Sequence, residues 1–382
     1  MAEPRYDFHT PAAREVTGGL KWGRYAGHDI LPMWVADMDF FCPPMVLAAL
    51  RGRVDEGVFG YGSATGNQVD AVLAALWREF AWEVQPEWLV WLPGLVTGIT
   101  QACRAFGEAG DEVLVNTPVY PPFLKAPGWV GRQCVAAPLA GDNTEGWRLD
   151  AEAMGAAITD RTALYLLCHP HNPVGRMWTE DELRAAAAVC LENDVVICSD
   201  EIHNQLILTT DRRHRPLATL SPEIAARSIS LLAPSKTFNI PGLGCSLAII
   251  PDRDLRRRFE GAGQGLVPHV NVLGPVAAAA AWREAGDWLI ELRGVLRGNR
   301  EYLRQRVAGW PGVTMPDVEA TYLAWLDVRE LGVEDPVGFF EQHGVGLSPG
   351  ADFGGPGYVR LNFGCPRALL VQACDRMEQA LA

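Results

Sequence analysis

Lysine is rare in this sequence, and one lysine stands where covalent chemistry can occur. The chain has 33 basic residues, of which all are arginine except Lys21, Lys125 and Lys236. Arginine supplies positive charge equally well, but only lysine can form an imine through a neutral amine. Lys236 directly follows an apolar predicted strand and lies between two hydroxyl residues. These features favour a lysine that reacts with a carbonyl group, and the alternative is a lysine in a surface loop.

Two further polar side chains follow apolar predicted strands, and a third lies within one. Asp200 could keep a pyridine nitrogen protonated, which pyridoxal 5′-phosphate (PLP) requires of its protein, or it could cap the next helix. Asn172 is of the right type to donate a hydrogen bond to the phenolate oxygen of such a ring. Arg360 is the one charge in an apolar predicted strand, where it could grip a substrate carboxylate or form an internal salt bridge.

Other residues could hold a phosphate group and an aromatic ring. Leu95 and Val96 open a predicted helix after a glycine, and the N–H groups of a helix N-terminus bind phosphate. The hydroxyl of Ser235 could join them, and Tyr120 could stack on a ring. The pair His169 and His171 has no third ligand nearby in the sequence, so no metal site is predicted.

The elements that must position these residues alternate between short apolar runs and helical patterns. The predicted strands of this region are Trp88–Leu92, Glu112–Asn116, Ala163–Cys168, Val195–Ser199, Ser228–Leu232 and Cys245–Ile250. Apolar strands separated by helices are typical of an α/β fold with a mostly parallel sheet covered on both faces. Ligands bind such sheets at the carboxyl ends of the strands, where the polar residues fall.

The last third of the chain changes to two long helical patterns and more widely spaced strands. We therefore expect a large PLP-binding domain over residues 46–275. The N-terminal segment 1–45 and residues 276–382 would form a smaller α+β domain.

Composition narrows the possible partners and the compartment. The 382 residues carry a formal net charge of −13, which argues against nucleic acid. No apolar run approaches the length of a membrane span, and no apolar leader is visible. Nine cysteines are scattered without a CxxC pair, as in a reduced protein. We expect a cytoplasmic protein that acts on a small molecule.

Together these segments resemble the class I and II aminotransferase superfamily of fold-type I PLP enzymes. Within it they look most like the cystathionine β-lyase branch, the MalY/PatB-type C–S lyases. The motifs that carry the resemblance are Trp34–Phe40, Pro118–Phe123, Cys168–Arg176, Asp200–His203, Ser235–Asn239 and Thr321–Trp325.

The resemblance implies a role for each candidate residue. Lys236 would hold PLP as a Schiff base and move protons. Asp200 would contact the pyridine nitrogen and Asn172 the phenolate oxygen, with His203 beside them. Tyr120 would stack on the face of the ring. The phosphate would be held by Ser235, Leu95 and Val96. Arg360, Ala36 and Asn172 would bind the substrate. Tyr61 would reach the phosphate of a second subunit, which implies a homodimer with shared active sites.

Two positions depart from the aminotransferase pattern. Gly244 stands where aminotransferases carry a phosphate-binding arginine, which fits the lyase branch. Pro241 replaces a small residue and could stiffen the following loop.

Three functions stay open at this point. The favoured one is β-elimination, which cleaves L-cystathionine or related cysteine S-conjugates to a thiol, pyruvate and ammonia. The alternative is amino transfer by the same residues. A third is a regulator that binds PLP or a metabolite and contacts another protein.

Overall fold

The computed structural model describes residues 5–12 and 18–382. In this part of the chain the strands are β1 (Leu31–Pro32), β2 (Leu89–Leu92), β3 (Glu112–Thr117), β4 (Gln133–Pro138), β5 (Thr162–Cys168), β6 (Val196–Asp200), β7 (Ser228–Leu232), β8 (Ser246–Ile249), β9 (Leu323–Asp327), β10 (Val345–Gly346), β11 (Ser348–Pro349) and β12 (Tyr358–Asn362). The helices are α1 (Leu20–Gly23), α2 (Pro44–Asp55), α3 (Gly66–Phe80), α4 (Leu95–Ala105), α5 (Pro121–Trp129), α6 (Ala151–Ala157), α7 (Glu180–Glu192), α8 (Pro222–Ala226), α9 (Arg253–Gly263), α10 (Leu273–Glu284), α11 (Gly286–Val307), α12 (Pro336–Gln342) and α13 (Arg367–Leu381). No helix of the described ranges is long and apolar enough to cross a membrane.

A seven-stranded sheet of order β2-β8-β7-β6-β5-β3-β4 forms the centre of the large domain. The strands β7, β6, β5, β3 and β4 are parallel to one another. The strand β8 is antiparallel to both of its neighbours, β7 and β2. The predicted mostly parallel sheet is therefore confirmed, and its six predicted strands are all present. The sequence missed β4, an edge strand whose side chains are mostly exposed and so carry no apolar signal.

Helices cover both faces of this sheet because successive side chains of a strand point to opposite sides. In β5, Leu164 and Leu166 pack in the core beneath α4 and α9. Tyr165 and Leu167 pack in a second core beneath α6 and α7. Side chains buried on both faces explain why these strands are apolar throughout.

A three-stranded antiparallel sheet of order β11-β12-β9 forms the smaller part of the molecule. The N-terminal β1 pairs in parallel with β10, so the beginning of the chain lies against its last third. One hydrophobic core runs from Met33 through helices α3, α10 and α11 to the strands β9 and β12. The exact domain boundaries, 46–275 and the remainder, stay a prediction.

A buried ion pair fixes the N-terminal segment. Lys21 is wholly buried, and its Nζ donates to Asp39 Oδ2 at 2.7 Å and to the carbonyl of Asp37 at 3.2 Å. Trp22 Nε1 donates to the other oxygen of Asp39 at 2.9 Å. A buried charge is tolerated only with such partners. The buried ion pair therefore explains why a lysine stands at position 21, and no covalent reaction of Lys21 needs to be invoked.

Two asparagines attach the same segment to both sheets. Asn362 Nδ2 donates to the carbonyls of Val35 and Asp37, both at 2.6 Å. Asn239 Nδ2 donates to the carbonyl of Phe40 at 2.7 Å, and its Oδ1 accepts from the backbone N–H of Met38 at 2.9 Å. Residues 34–40 consequently form a fixed segment between the two sheets, which we call the N-terminal wall.

Replacing Lys21 by methionine should destabilise the protein strongly. The change removes the buried ammonium group and its hydrogen bonds to Asp39 and to the carbonyl of Asp37, and breaking a buried ion pair costs about 3–5 kcal/mol in comparable sites. Urea unfolding of the cofactor-free protein measures the loss. Lys125→Met removes an exposed lysine and should change the free energy of unfolding by less than about 0.5 kcal/mol. Equal effects of the two substitutions would contradict the account of the ion pair.

Candidate active site

Three neighbouring parallel strands deliver the principal candidate residues to one edge of the large sheet. Asp200 ends β6, the middle strand, and the segments that carry Asn172 and Lys236 follow β5 and β7 on either side. Arg360 comes from β12 of the small sheet, and Ala36 from the N-terminal wall. The site therefore lies where both sheets meet the N-terminal segment, as the rule for carboxyl ends of strands leads one to expect.

Lys236 is partly buried, and its Nζ donates a hydrogen bond to the backbone carbonyl of Ala36. Burial lowers the pKa of Lys236 to about 8, and the charge of Arg360 acts in the same direction. Asp37 and Asp200 oppose this shift without cancelling it. The amine consequently exists in its neutral, nucleophilic form far more readily than an exposed lysine does.

Asp200 is buried, and its Oδ1 accepts from the backbone N–H of Ile202 at 3.1 Å. Burial raises the pKa of this carboxyl to about 7, although Ile202 and Lys236 lower it. Residues 202–205 form turns and no helix begins at this hydrogen bond, so the alternative that Asp200 caps the next helix is wrong. An ionised Asp200 requires a cation beside it, and a protonated pyridine nitrogen is such a cation.

His203 lies buried next to these groups, and its Nδ1 has no hydrogen-bond partner among the described residues. Burial lowers the pKa of its imidazole to about 3, and Lys236 and Arg360 add to the effect. The ring packs edge-on against Tyr322 at 6.1 Å between centroids. His203 is therefore neutral and has a free nitrogen for a ligand.

Arg360 is buried and makes no ion pair with any described residue. Its Nη1 donates to Asn172 Oδ1 at 3.0 Å, and its Nη2 donates to the carbonyl of Trp34 at 2.9 Å and to Ser348 Oγ at 3.3 Å. Its Nε has no described partner, and burial lowers the pKa of the guanidinium to about 10. The alternative of an internal salt bridge is thus not seen in the described structure, and a carboxylate ligand would supply the missing anion.

The bond from Arg360 also sets the orientation of Asn172. Because the amide oxygen of Asn172 accepts from the guanidinium, its NH₂ group remains available as a donor. That donor is what a phenolate oxygen needs. The predicted role of Asn172 toward both cofactor and substrate is compatible with this orientation and stays a prediction.

The predicted phosphate residues lie at the open N-terminus of α4. Leu95 and Val96 form its first turn after Gly94, and no side chain caps it. Ser235 lies partly buried on the loop that carries Lys236. Gly244 has φ +54°, and a Cβ there would approach the carbonyl oxygen of Pro93 to 3.1 Å, so a longer residue would be strained. An arginine would be strained in the backbone conformation that Gly244 adopts.

Tyr120 joins the site, whereas Tyr61 does not. The backbone N–H of Tyr120 donates to the carbonyl of Asn172 at 3.0 Å, and burial raises the pKa of its phenol. Tyr61 is fully exposed and lines an open cavity of about 1200 Å³ that contains none of the other predicted site residues. Its predicted role in a second subunit stays a prediction.

The histidine pair has structural contacts. His171 Nε2 lies 2.7 Å from the carbonyl oxygen of Pro118, and the ring of His169 stacks on His214 at 4.4 Å. Within the described ranges no three potential ligands cluster as a metal site.

Sequence reasoning missed several residues that shape the site. Tyr322 donates its hydroxyl to the carbonyl of Ala36 at 3.1 Å, the same oxygen that Lys236 contacts. Ser348 Oγ donates to the carbonyl of Trp34 at 2.7 Å. The guanidinium of Arg360 lies 4.7 Å from the ring centre of Phe353. Of these, only Tyr322 lies in a quoted motif. Ser348 contacts a backbone carbonyl and Phe353 contacts Arg360 through its ring, and both contacts join segments that only the tertiary fold brings together.

Comparison with known proteins agrees with this geometry. Residues 29–377 match the family model "Aminotransferase class I and II", and the chain belongs to this family. It is 38% identical to cystathionine β-lyase PatB of Bacillus subtilis over 96% of this chain and 97% of that protein. Its fold is similar to the crystal structure of OvoB, with TM-score 0.96 and 46% identity over 98% of this chain and 99% of that chain. It is also similar to cystalysin from Treponema denticola, whose structure contains PLP, with TM-score 0.94 and 31% identity over 98% of each chain. The resemblance to PLP enzymes of the C–S lyase branch is confirmed.

Stability of the cofactor-free protein should reveal the buried Asp200. In the folded protein its pKa is raised from 3.8 to about 7, so between these values the folded state keeps a proton that the unfolded chain has lost. This contribution therefore lowers stability as the pH rises through the window. The Asp200→Asn variant lacks it and should gain stability relative to the unmodified protein from pH 4 to pH 7. Urea unfolding at several pH values measures the difference, and a difference independent of pH would contradict the assignment.

Proposed function

We propose that this protein is a PLP-dependent carbon–sulfur β-lyase. It cleaves L-cystathionine or a related cysteine S-conjugate to a thiol, pyruvate and ammonia. One observation carries the proposal: Lys236, Asp200 and Arg360 lie close enough to affect one another's charge, Arg360 binds Asn172, and burial shifts the pKa of each charged group among them. The names of relatives such as cystathionine β-lyase PatB support the same reaction.

The residues present fit PLP. Bound PLP supplies a carbonyl carbon that takes up the substrate amine and a ring that accepts electrons from the substrate's α-carbon. Lys236 would hold it covalently, Asp200 and Asn172 would hold the ring nitrogen and phenolate oxygen, and the first turn of α4 would hold the phosphate. The unpartnered Nδ1 of His203 and the raised pKa of Asp200 are what a site built for a charged heterocycle would show.

Arg360 orients the substrate. Its guanidinium is held by Asn172, Trp34 and Ser348, and it can grip the α-carboxylate with the donors that remain. Because the carboxylate of the substrate is fixed, its α-carbon takes one defined position relative to Lys236. Because burial desolvates this arginine, the contact with an anion is stronger than it would be in water.

Lys236 moves the proton. As a free amine Lys236 has a pKa that burial has lowered to about 8, so it could accept the α-proton of the substrate as a general base. The carbonyl of Ala36 accepts from its Nζ and limits where the amine can go. The C–S bond then breaks, the sulfur leaves as a thiolate, and water hydrolyses the three-carbon fragment to pyruvate and ammonia.

Purified, PLP-loaded protein should release pyruvate and free thiol from L-cystathionine when no keto acid is present. Lys236→Ala should abolish this turnover, because the covalent anchor and base are lost. Lys125→Ala removes an exposed lysine and should retain the full rate. The absence of pyruvate, together with amino transfer that depends on an added keto acid, would replace the lyase by the aminotransferase alternative.

We also propose a homodimer that shares its active sites. Tyr61 and its apolar neighbours Val58 and Phe59 are exposed. Leu266, whose sequence neighbours Gly265 and Val267 line the same cavity, is 59% exposed. Such a patch is typical of an interface between chains. The cavity also reaches Leu92, three residues before the phosphate turn, so a partner's Tyr61 would have a short path to it.

Hybrid dimers test this arrangement. Lys236→Ala and Tyr61→Ala each impair every site of their own homodimers. After mixing and reassociation, hybrids contain one intact site, and activity should return to about a quarter of the unmodified level because half of random dimers are hybrids. No recovery after verified subunit exchange would show that Tyr61 serves its own chain.

The compartment and the domain division are proposals as well. All nine cysteines are free, which suits the reducing cytoplasm. We propose residues 46–275 as the large domain, since the seven-stranded sheet lies wholly within them.

A further inference from the structure

A second polar cavity of about 390 Å³ lies away from Lys236, between α3, α11 and the loop that follows His203. Its lining includes five arginines, Arg78, Arg212, Arg213, Arg293 and Arg297, and one acidic residue, Glu79. The chain as a whole has a net charge of −13, so this concentration of positive charge is local and unlike the rest of the molecule.

Backbone carbonyls hold most of these guanidinium groups in place. Arg293 Nε donates to the carbonyl of Gln205 at 2.6 Å, and Arg297 Nε donates to the carbonyl of Leu208 at 3.1 Å. Arg78 Nη2 donates to the carbonyl of Trp282 at 2.9 Å. In Arg293 and Arg297 the anchoring bond uses Nε, so the two Nη groups remain for another acceptor. An arginine fixed in this way loses little freedom when it binds an anion.

Part of the positive charge has no counterion. Arg78 pairs with Glu79 at 3.1 Å, and Arg212 pairs with Glu319. Arg213, Arg293 and Arg297 form no salt bridge with any residue in the described ranges. Arg293 and Arg297 also stand four residues apart on one helix, where like charges destabilise the helix. The folded protein thus keeps an arrangement that costs stability unless an anion joins it.

His214 adds a buried polar group to the same lining. It is 3% exposed, and its Nδ1 has no hydrogen-bond partner among the described residues. Its Nε2 lies 2.8 Å from Glu201 Oε2, which holds the ring in position. Because Nε2 donates to the Glu201 carboxylate, the neutral ring presents Nδ1 as a hydrogen-bond acceptor. His214 can therefore accept a hydrogen bond from a hydroxyl of a ligand, while the anchored arginines hold its anionic oxygens.

We infer that this cavity binds a small multivalent anion of the phosphate-ester class, separately from the amino-acid substrate. Guanidinium groups match phosphate oxygens in pairs, and three unpaired arginines match the charge of a diphosphate. The volume exceeds what one inorganic phosphate fills, so the ligand carries a second phosphate or an organic group. None of the residues proposed for PLP or for the substrate lines this cavity.

Calorimetric titration of the PLP-loaded protein with inorganic pyrophosphate tests the inference. Bound PLP keeps the phosphate turn at α4 occupied, so only a second site can respond. We expect saturable binding of one pyrophosphate per chain at constant ionic strength. The variant Arg213→Ala/Arg297→Gln should weaken it at least tenfold, while a cooperative thermal transition without pyrophosphate shows that the variant is folded.

Arg304→Gln is the matched control. Arg304 lies on the same helix two turns beyond Arg297, but it is exposed and pairs with Glu301 at 2.7 Å. This variant should bind pyrophosphate as the unmodified protein does. If the double variant is unstable, Arg213→Ala alone is decisive, since Arg213 is exposed, and it should weaken binding several-fold. Absence of saturable binding, or an equal loss in Arg304→Gln, overturns the inference.

Discussion

The site depends on one physical constraint: an amine, a carboxyl and a guanidinium share a space from which water is largely excluded. Burial shifts the pKa of each group in the direction that favours its neutral form. The pKa becomes about 8 for Lys236, about 7 for Asp200 and about 10 for Arg360. No described ion pair compensates the cost of burying the charge of Arg360, because the oxygens that accept from its guanidinium are neutral. A charged ring and a substrate carboxylate would compensate it, so the three groups match the charges of the proposed ligands.

The N-terminal wall makes this arrangement possible. The carbonyls of Trp34 and Ala36 point at Arg360 and Lys236, and they stay there because residues 34–40 are attached at several points. Lys21 holds Asp39 from one side, while Asn239 and Asn362 hold the backbone from the two sheets. A segment with little regular secondary structure thus becomes as well defined as a strand. Buried charge and hydrogen bonds from side chains to the backbone fix the geometry of this segment.

Much of the fold could be predicted from the sequence because the strands of the large sheet are buried on both faces. Their apolar runs were visible, and the polar residues that end β6 and follow β5 and β7 marked the functional edge. The strand β4 could not be found this way, since an exposed edge carries no such run. The roles of Asn239, Asn362 and Ser348 were equally hidden, because their partners are backbone carbonyls brought near only by the tertiary fold. The scarcity of lysine made Lys236 a candidate, but it did not separate it from Lys21, whose buried ion pair only the structure reveals.

The most direct test of the account is to locate the covalent attachment of PLP. The PLP-loaded protein is reduced with borohydride, digested, and its peptides are mapped by mass spectrometry. With only three lysines in the chain, the result is unambiguous. The account predicts that the pyridoxyl group is found on Lys236 and on no other residue. Attachment to Lys21 or Lys125, or a reduced protein without any attached group, would contradict it.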